Sequence, residues 1–238
     1  MYLIFENFRK YLKEAAITNV DKYALCLITP RDDKRIIILY EWEKILINYR
    51  KTKQIDSGEQ RITAALMEIG TSAFIDDERP CYGTKNNPSW QVKASVATSG
   101  LGPMLYDLGL IIAARNGLAG IMPDRKKVSK DAEKIWVQYY ERAQGATGIK
   151  VQKRKLDYVP PDNETPEKND DCKMHSGRHV ALNYIYSSVA KNSTVFLKMI
   201  ENHKIVFDEL KKMKFSLNKE EFETMLWEDG ESFFRNSF

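Results

Sequence analysis

Residues 91–142 read QVKASVATSGLGPMLYDLGLIIAARNGLAGIMPDRKKVSKDAEKIWVQYYER. Gln91 to Ala97 alternates with β-branched residues and predicts a strand. Thr98-Ser99-Gly100-Leu101-Gly102-Pro103 is a tight, glycine-bearing turn, and Pro103 suits a first helical position, where a missing N–H costs nothing. Met104 to Asn116 then predicts a helix that buries Leu105, Leu108, Ile112 and Ile111. Gly117 stops it, and Leu118 to Met122 is an apolar run of strand length. Ser129 is placed to cap a further helix, whose apolar stripe is Ala132, Ile135, Trp136 and Tyr139. The order is strand, glycine turn, helix, strand, helix.

A helix that begins at a glycine turn presents unpaired N–H groups and the positive end of its dipole. A phosphate or pyrophosphate fits such an end, and glycine lets it approach the backbone. The same residues also serve a plain strand-to-helix turn, with glycine there for geometry alone.

The stretch resembles the acyl-CoA-binding core of the GNAT-type N-acetyltransferase superfamily. That family's signature is Arg or Gln, two residues, Gly, one residue, then Gly or Ala. Here it falls on Ala97-Thr98-Ser99-Gly100-Leu101-Gly102, with both glycines in place and Ala97 where Arg or Gln is expected. A longer pattern resembles acetyltransferase-like proteins encoded by bacteriophages. It comprises Gly100 to Asp107, Pro123-Asp124-Arg125, Val128-Ser129 and Trp136, with Cys81-Tyr82-Gly83 and Asp171-Cys172 at its borders, and covers about residues 80–172.

The resemblance implies an α/β (α+β) fold, a GNAT-like mixed and largely antiparallel sheet flanked by helices. It implies acetyl-CoA as cofactor, held by Thr98, Ser99, Gly100, Leu101 and Gly102, and an amine as acceptor. In such enzymes a tyrosine after the second core strand often protonates the departing thiolate. Tyr139 and Tyr140 lie in that region, and Tyr140 is the candidate because Tyr139 falls on the stripe with Trp136. Both also suit plain aromatic packing. A non-catalytic virion or assembly component that keeps the fold is the alternative. Its partners would be other phage or host proteins, and its place the host cytoplasm or the virion, as a homo-oligomer or assembly subunit.

The composition fits a folded domain: 43% hydrophobic and 29% charged residues over 238 positions are enough for a sizeable core. No apolar run approaches the ~20 residues that cross a bilayer, so no membrane association is expected. The N-terminal MYLIFENFRKYLKEAA lacks the basic start, apolar centre and small-residue cleavage site of a secretory signal. Cys26, Cys81 and Cys172 are odd in number and scattered, which fits a reducing compartment better than a disulfide framework. The net charge of +4 is mild. Arg125-Lys126-Lys127 and Lys150 to Lys155 are basic clusters, read either as solvated faces or as contacts to an anion. Nucleic-acid readout has no further support, because there is no zinc finger and no aromatic RNA-binding signature.

Residues 3–16 predict an amphipathic helix with Leu3, Phe5, Phe8, Tyr11 and Leu12 in one stripe. Tyr23 to Thr29 predicts a strand stopped by Pro30, and Arg35 to Tyr40 a second strand after a turn at Arg31-Asp32-Asp33-Lys34. Glu41 to Arg50 reads as a helix, although it also suits an extended strand. Ile62 to Ile69 is a strand candidate whose Ala64 to Met67 equally suit a helix. Thr71 to Pro88 is mostly loop. Residues 1–159 form the expected GNAT-like domain, with Ile149 to Val159 as a further strand. Residues 160–171 read as an acidic, proline-bearing linker, and 172–238 as a helical C-terminal extension. Within that extension Ala181 to Val189 reads as helix. Ser193 or Thr194 caps the next one, and Ser216 or Asn218 caps a last helix ending near Gly230.

For the base that an amine acceptor requires, Glu68, Asp76, Asp77 and Glu78 precede the core strand, and spacing singles out none of them. Asp107 lies in the early turns of its helix, where the dipole stabilises a carboxylate. Cys172, His175 and His179 form C-x2-H-x3-H beside Asp171, which falls short of a full set of preferred zinc ligands, so no metal is expected there.

Overall fold

The computed structural model describes residues 20–31, 34–53, 55, 63–71, 88–98, 100–124, 127–157 and 179–235. The expected N-terminal helix at 3–16, residues 72–87 of the expected loop from Thr71 to Pro88, the linker at 160–171, Ser99, Arg125, Lys126, Asp76, Asp77, Glu78, Cys81, Cys172 and His175 lie outside them.

The strands are β1 (Tyr23–Arg31), β2 (Lys34–Glu41), β3 (Thr63–Gly70), β4 (Trp90–Ala97), β5 (Ile121–Pro123), β6 (Val151–Lys155) and β7 (Tyr184–Ser188). The helices are α1 (Trp42–Thr52), α2 (Gly102–Arg115), α3 (Lys130–Arg142), α4 (Thr194–Lys212) and α5 (Lys219–Arg235). The strands make one seven-stranded sheet in the order β1-β2-β3-β4-β5-β7-β6. Every neighbouring pair is antiparallel except β4 and β5, which run parallel. The mixed, largely antiparallel sheet flanked by helices is therefore the observed architecture.

Side-chain alternation divides the core into two layers. Leu25, Ile37, Leu39, Met67 and Val92 point to the face covered by α2 and α3. Ala24, Cys26, Ile36, Ile38, Tyr40 and Leu66 point to the opposite face, under α1, α5 and the second half of α4. Almost all of α2 is buried, which explains why its sequence is apolar all round. Asn202 of α4 donates to Asp21 O (3.2 Å) and Tyr23 O (2.8 Å), fixing that helix to the start of β1.

Several elements differ from the sequence reading, the further strand expected at Ile149 to Val159 being only Val151–Lys155. β1 continues through Pro30 to Arg31. It is an edge strand with a register shift between Ile28 and Arg31, where a residue without an N–H is tolerated. The second core strand is shorter and later than Leu118 to Met122, because Leu118 N bonds Ala113 O and Ala119 N bonds Pro88 O before β5 begins. Ala181 to Val189 is not helical: a 3-10 turn at Val180–Asn183 leads into β7. α5 does not end near Gly230 but runs on to Arg235. There a Cβ would stand 2.7 Å from Leu66 Cδ1, so glycine serves close helix-to-sheet packing rather than termination.

Candidate functional site

β4 and β5 pair only through Trp90 with Ile121, Gln91 with Met122 and Val92 with Pro123. Among the described residues the register of β4 with β5 ends at Val92, while its register with β3 runs on through Ala94 to Ala97, where the side chains are half-buried. The sheet therefore opens between two parallel strands. Ligands of open sheets occupy such a place, beyond the carboxyl ends of the strands where the connectivity changes direction.

The glycine turn sits at the end of that half-open stretch. Thr98 N donates to Ala64 O (2.8 Å) and Leu101 N to Thr98 O (3.1 Å), so β3 anchors the turn. Gly100 has φ +88°, a left-handed value that favours glycine. α2 starts at Gly102, with Leu101 at its cap making no side-chain cap bond and no acid in the first turn. The positive end of the dipole is thus neither capped nor neutralised by its own helix. A Cβ on Gly102 would meet Ile135 Cδ1 at an ordinary 3.7 Å, so packing does not require glycine there. Of the residues expected at this place, Thr98, Gly100, Leu101 and Gly102 are contiguous around the turn, with Leu101 buried; Ser99 is outside the described residues.

α2 is locked beneath the opening by buried polar contacts. Tyr106 Oη and Ser95 Oγ of β4 lie 3.0 Å apart, and burial pushes the Tyr106 phenol up to about 12. Asp107, in the second turn of α2 as expected, is fully buried. Tyr139 Oη donates to its Oδ1 (2.7 Å), while Thr147 N (2.6 Å) and Thr147 Oγ1 (2.8 Å) donate to Oδ2. Burial outweighs these bonds and raises the carboxyl to about 6. Burial, with the neighbouring carboxylate second, also holds the Tyr139 phenol well above its ordinary range. Gly145 is obligatory here, because a Cβ would lie 2.2 Å from Asp107 Oδ1.

Tyr140, the candidate acid, turns the other way, toward β6 and β7. Its ring is 5.1 Å from that of Tyr184 and 6.2 Å from that of His179. Lys153 Nζ lies 3.7 Å over the Tyr140 ring and donates to Tyr140 O (2.8 Å). The phenol of Tyr184 is raised, first by burial and then by Tyr140. Tyr139 and Tyr140 thus occupy separate environments, as their one-residue offset on a helix dictates. Among the base candidates, Glu68 stands opposite Ala94 of β4 and is ion-paired with Lys34 (2.9 Å).

Sequence reasoning passed over the Asp107–Tyr139–Thr147 contacts and the Tyr106–Ser95 pair. A polar residue in an otherwise apolar helix was the available signal for the first. Comparison with protein-family models, curated proteins and solved structures gives no match.

Proposed function

We propose that the chain is a GNAT-type N-acetyltransferase-like protein of the bacteriophage-encoded kind, which transfers an acetyl group from acetyl-CoA to an amine. The observation that carries this reading is the opening between β4 and β5, with the glycine turn and the uncapped start of α2 at its end. Backbone N–H groups of Gly100, Leu101 and Gly102 would face the pyrophosphate, where the dipole favours negative charge. Acetyl-CoA, when bound, supplies the activated acetyl group. The side of β4 turned toward β5 would take an extended ligand arm along Ala94 to Ala97. The resemblance suggests Tyr140 as proton donor, a role that would require an acyl arm reaching the β6–β7 side, where its ring packs on Tyr184 under the Lys153 ammonium.

A non-catalytic phage component with the same fold is the second reading. Ala97 in place of Arg or Gln, and a Glu68 already paired with Lys34, favour it. Calorimetry with acetyl-CoA separates the two. The wild type is expected to bind, and Gly102→Asp, whose Cβ meets Ile135 Cδ1 at an ordinary 3.7 Å, is expected to lose binding by at least about tenfold, since it sets a carboxylate against the pyrophosphate. Binding unchanged in the variant moves the site away from the turn. Absence of binding by the wild type favours the non-catalytic reading.

A further inference from the structure

On the face of the sheet opposite the glycine turn, three side chains from distant parts of the chain converge. Cys26 of β1 is fully buried, His203 of α4 nearly so, and Glu223 of α5 half-buried. Their ligand atoms all lie within 4.8 Å of one another. The geometry points to a binding site for a zinc-class divalent cation made of Cys26 Sγ, His203 Nε2 and a Glu223 carboxylate oxygen, with one coordination position left for water.

The separations fit shared coordination of one ion. His203 Nε2 and Glu223 Oε1 are 3.4 Å apart. A charge-assisted hydrogen bond draws such atoms to about 2.7–2.9 Å. Two tetrahedral zinc ligands, each at about 2.0–2.1 Å from the metal, stand about 3.3–3.4 Å apart. Cys26 Sγ, at a zinc–sulfur distance of about 2.3 Å, would stand about 3.6 Å from the other two ligand atoms, so from within 4.8 Å it completes the set with a side-chain shift of no more than about 1 Å. Thiolate, imidazole and carboxylate together suit zinc, and the two anionic ligands balance its charge.

The histidine is also held as a ligand needs. Its ring stacks on Phe222 (5.9 Å, 19°) and meets Tyr40 edge-on (5.9 Å, 78°). Tyr40 Oη lies 2.8 Å from Nδ1, the nitrogen away from Glu223. With a cation at Nε2, the ring proton sits on Nδ1 and Tyr40 Oη accepts it, fixing both tautomer and orientation. Lys219 Nζ, 3.5 Å from Glu223 Oε1, is the competitor that the cation displaces. Bound there, the metal joins β1, α4 and α5 at one point. The site uses none of Cys172, His175 and His179.

The test uses the full chain freed of metal by a chelator and titrated with Zn2+ alone, with Co2+ as a spectroscopic probe. The expected result is one tight equivalent of zinc, a raised Tm, and a thiolate-to-cobalt charge-transfer band. The band should persist in the Cys81→Ser/Cys172→Ser double variant, whose one remaining thiol is Cys26. Cys26→Ser should abolish it and weaken zinc binding at least about a hundredfold, with the far-ultraviolet circular dichroism unchanged. Tyr40→Phe keeps all three ligands and should weaken binding on the order of 10–100-fold. A wild type that takes up no zinc overturns the proposal. So does a band that survives Cys26→Ser or disappears in the double variant, and the double variant keeps the question open to refutation even where Cys26→Ser does not fold.

Discussion

Asp107 is where a single residue has the largest consequence for how the protein responds to pH. Its carboxyl is raised from 3.8 to about 6 because burial costs the charged form more than its hydrogen bonds from Thr147, Tyr139 and the Ala146 backbone return. A carboxylate raised on folding favours the native state when protonated. Its contribution is full below about pH 3.8 and is lost as pH rises through about 6. The displacement corresponds to about 3 kcal/mol. Urea unfolding from pH 4 to pH 7.5 should therefore show wild-type stability falling relative to Asp107→Asn as pH increases; a difference that stays flat with pH sinks this account. The partners explain why the sequence did not reveal it, since Tyr139 and Thr147 lie 32 and 40 residues away. Helix caps were legible because their chemistry is local. Ser129 Oγ accepts from Ala132 N, Ser193 Oγ from Phe196 N, and Asn218 exchanges bonds with Glu221 in a capping box.

Among the elements, the short β5 depends on a residue whose role only the assembled sheet displays. Gly120 has φ +145°, and a Cβ there would lie 2.1 Å from Tyr186 O and 2.8 Å from Tyr186 C, both backbone atoms of β7. Gly120→Ala must therefore part β5 from β7, which meet through Ile121 and Tyr186. Gly117, at φ +72° with nothing within 4 Å, incurs only the left-handed backbone cost. In urea denaturation Gly120→Ala should lose more than about 3 kcal/mol, and Gly117→Ala about 1–2 kcal/mol. Equal losses would show that the β5–β7 approach is less tight than described. Strand, glycine turn, helix and following helix were readable in residues 91–142 because alternation, glycine and caps agree there. β7 was not, because Leu182, Tyr184, Ile185 and Tyr186 fit either period. Its pairing with β6, Val151 opposite Ser188 through Lys155 opposite Tyr184, decides for strand.

Across the whole molecule, the segment after residue 178 is part of both core layers. β7 stands between β5 and β6, so β6 reaches the sheet only through it. Phe196 and Met199 of α4 join the layer with α2 and α3, and Val206, Leu210, Phe222 and Leu226 cover Ala24, Ile36, Ile38 and Tyr40 on the other face. At roughly 1.5–3 kcal/mol for each large apolar side chain buried, removing this segment exceeds the net stability of an ordinary domain, about 5–15 kcal/mol. The acidic, proline-bearing stretch at 160–171 suggested a helical appendage, because linker composition reports local chain preference and is silent on long-range strand pairing. Residues 1–171 and 172–238, expressed separately, should each lack a cooperative thermal transition. Mixed or co-expressed, they should recover one, with Tyr186 and Phe222 protected from solvent as in the intact chain. A cooperative melt by residues 1–171 alone would mean that β1 to β5 hold together without the second-face cover. Independent melting of both pieces would mean that the covering of Ile36, Ile38 and Tyr40 by α4 and α5 contributes little to the stability of the sheet.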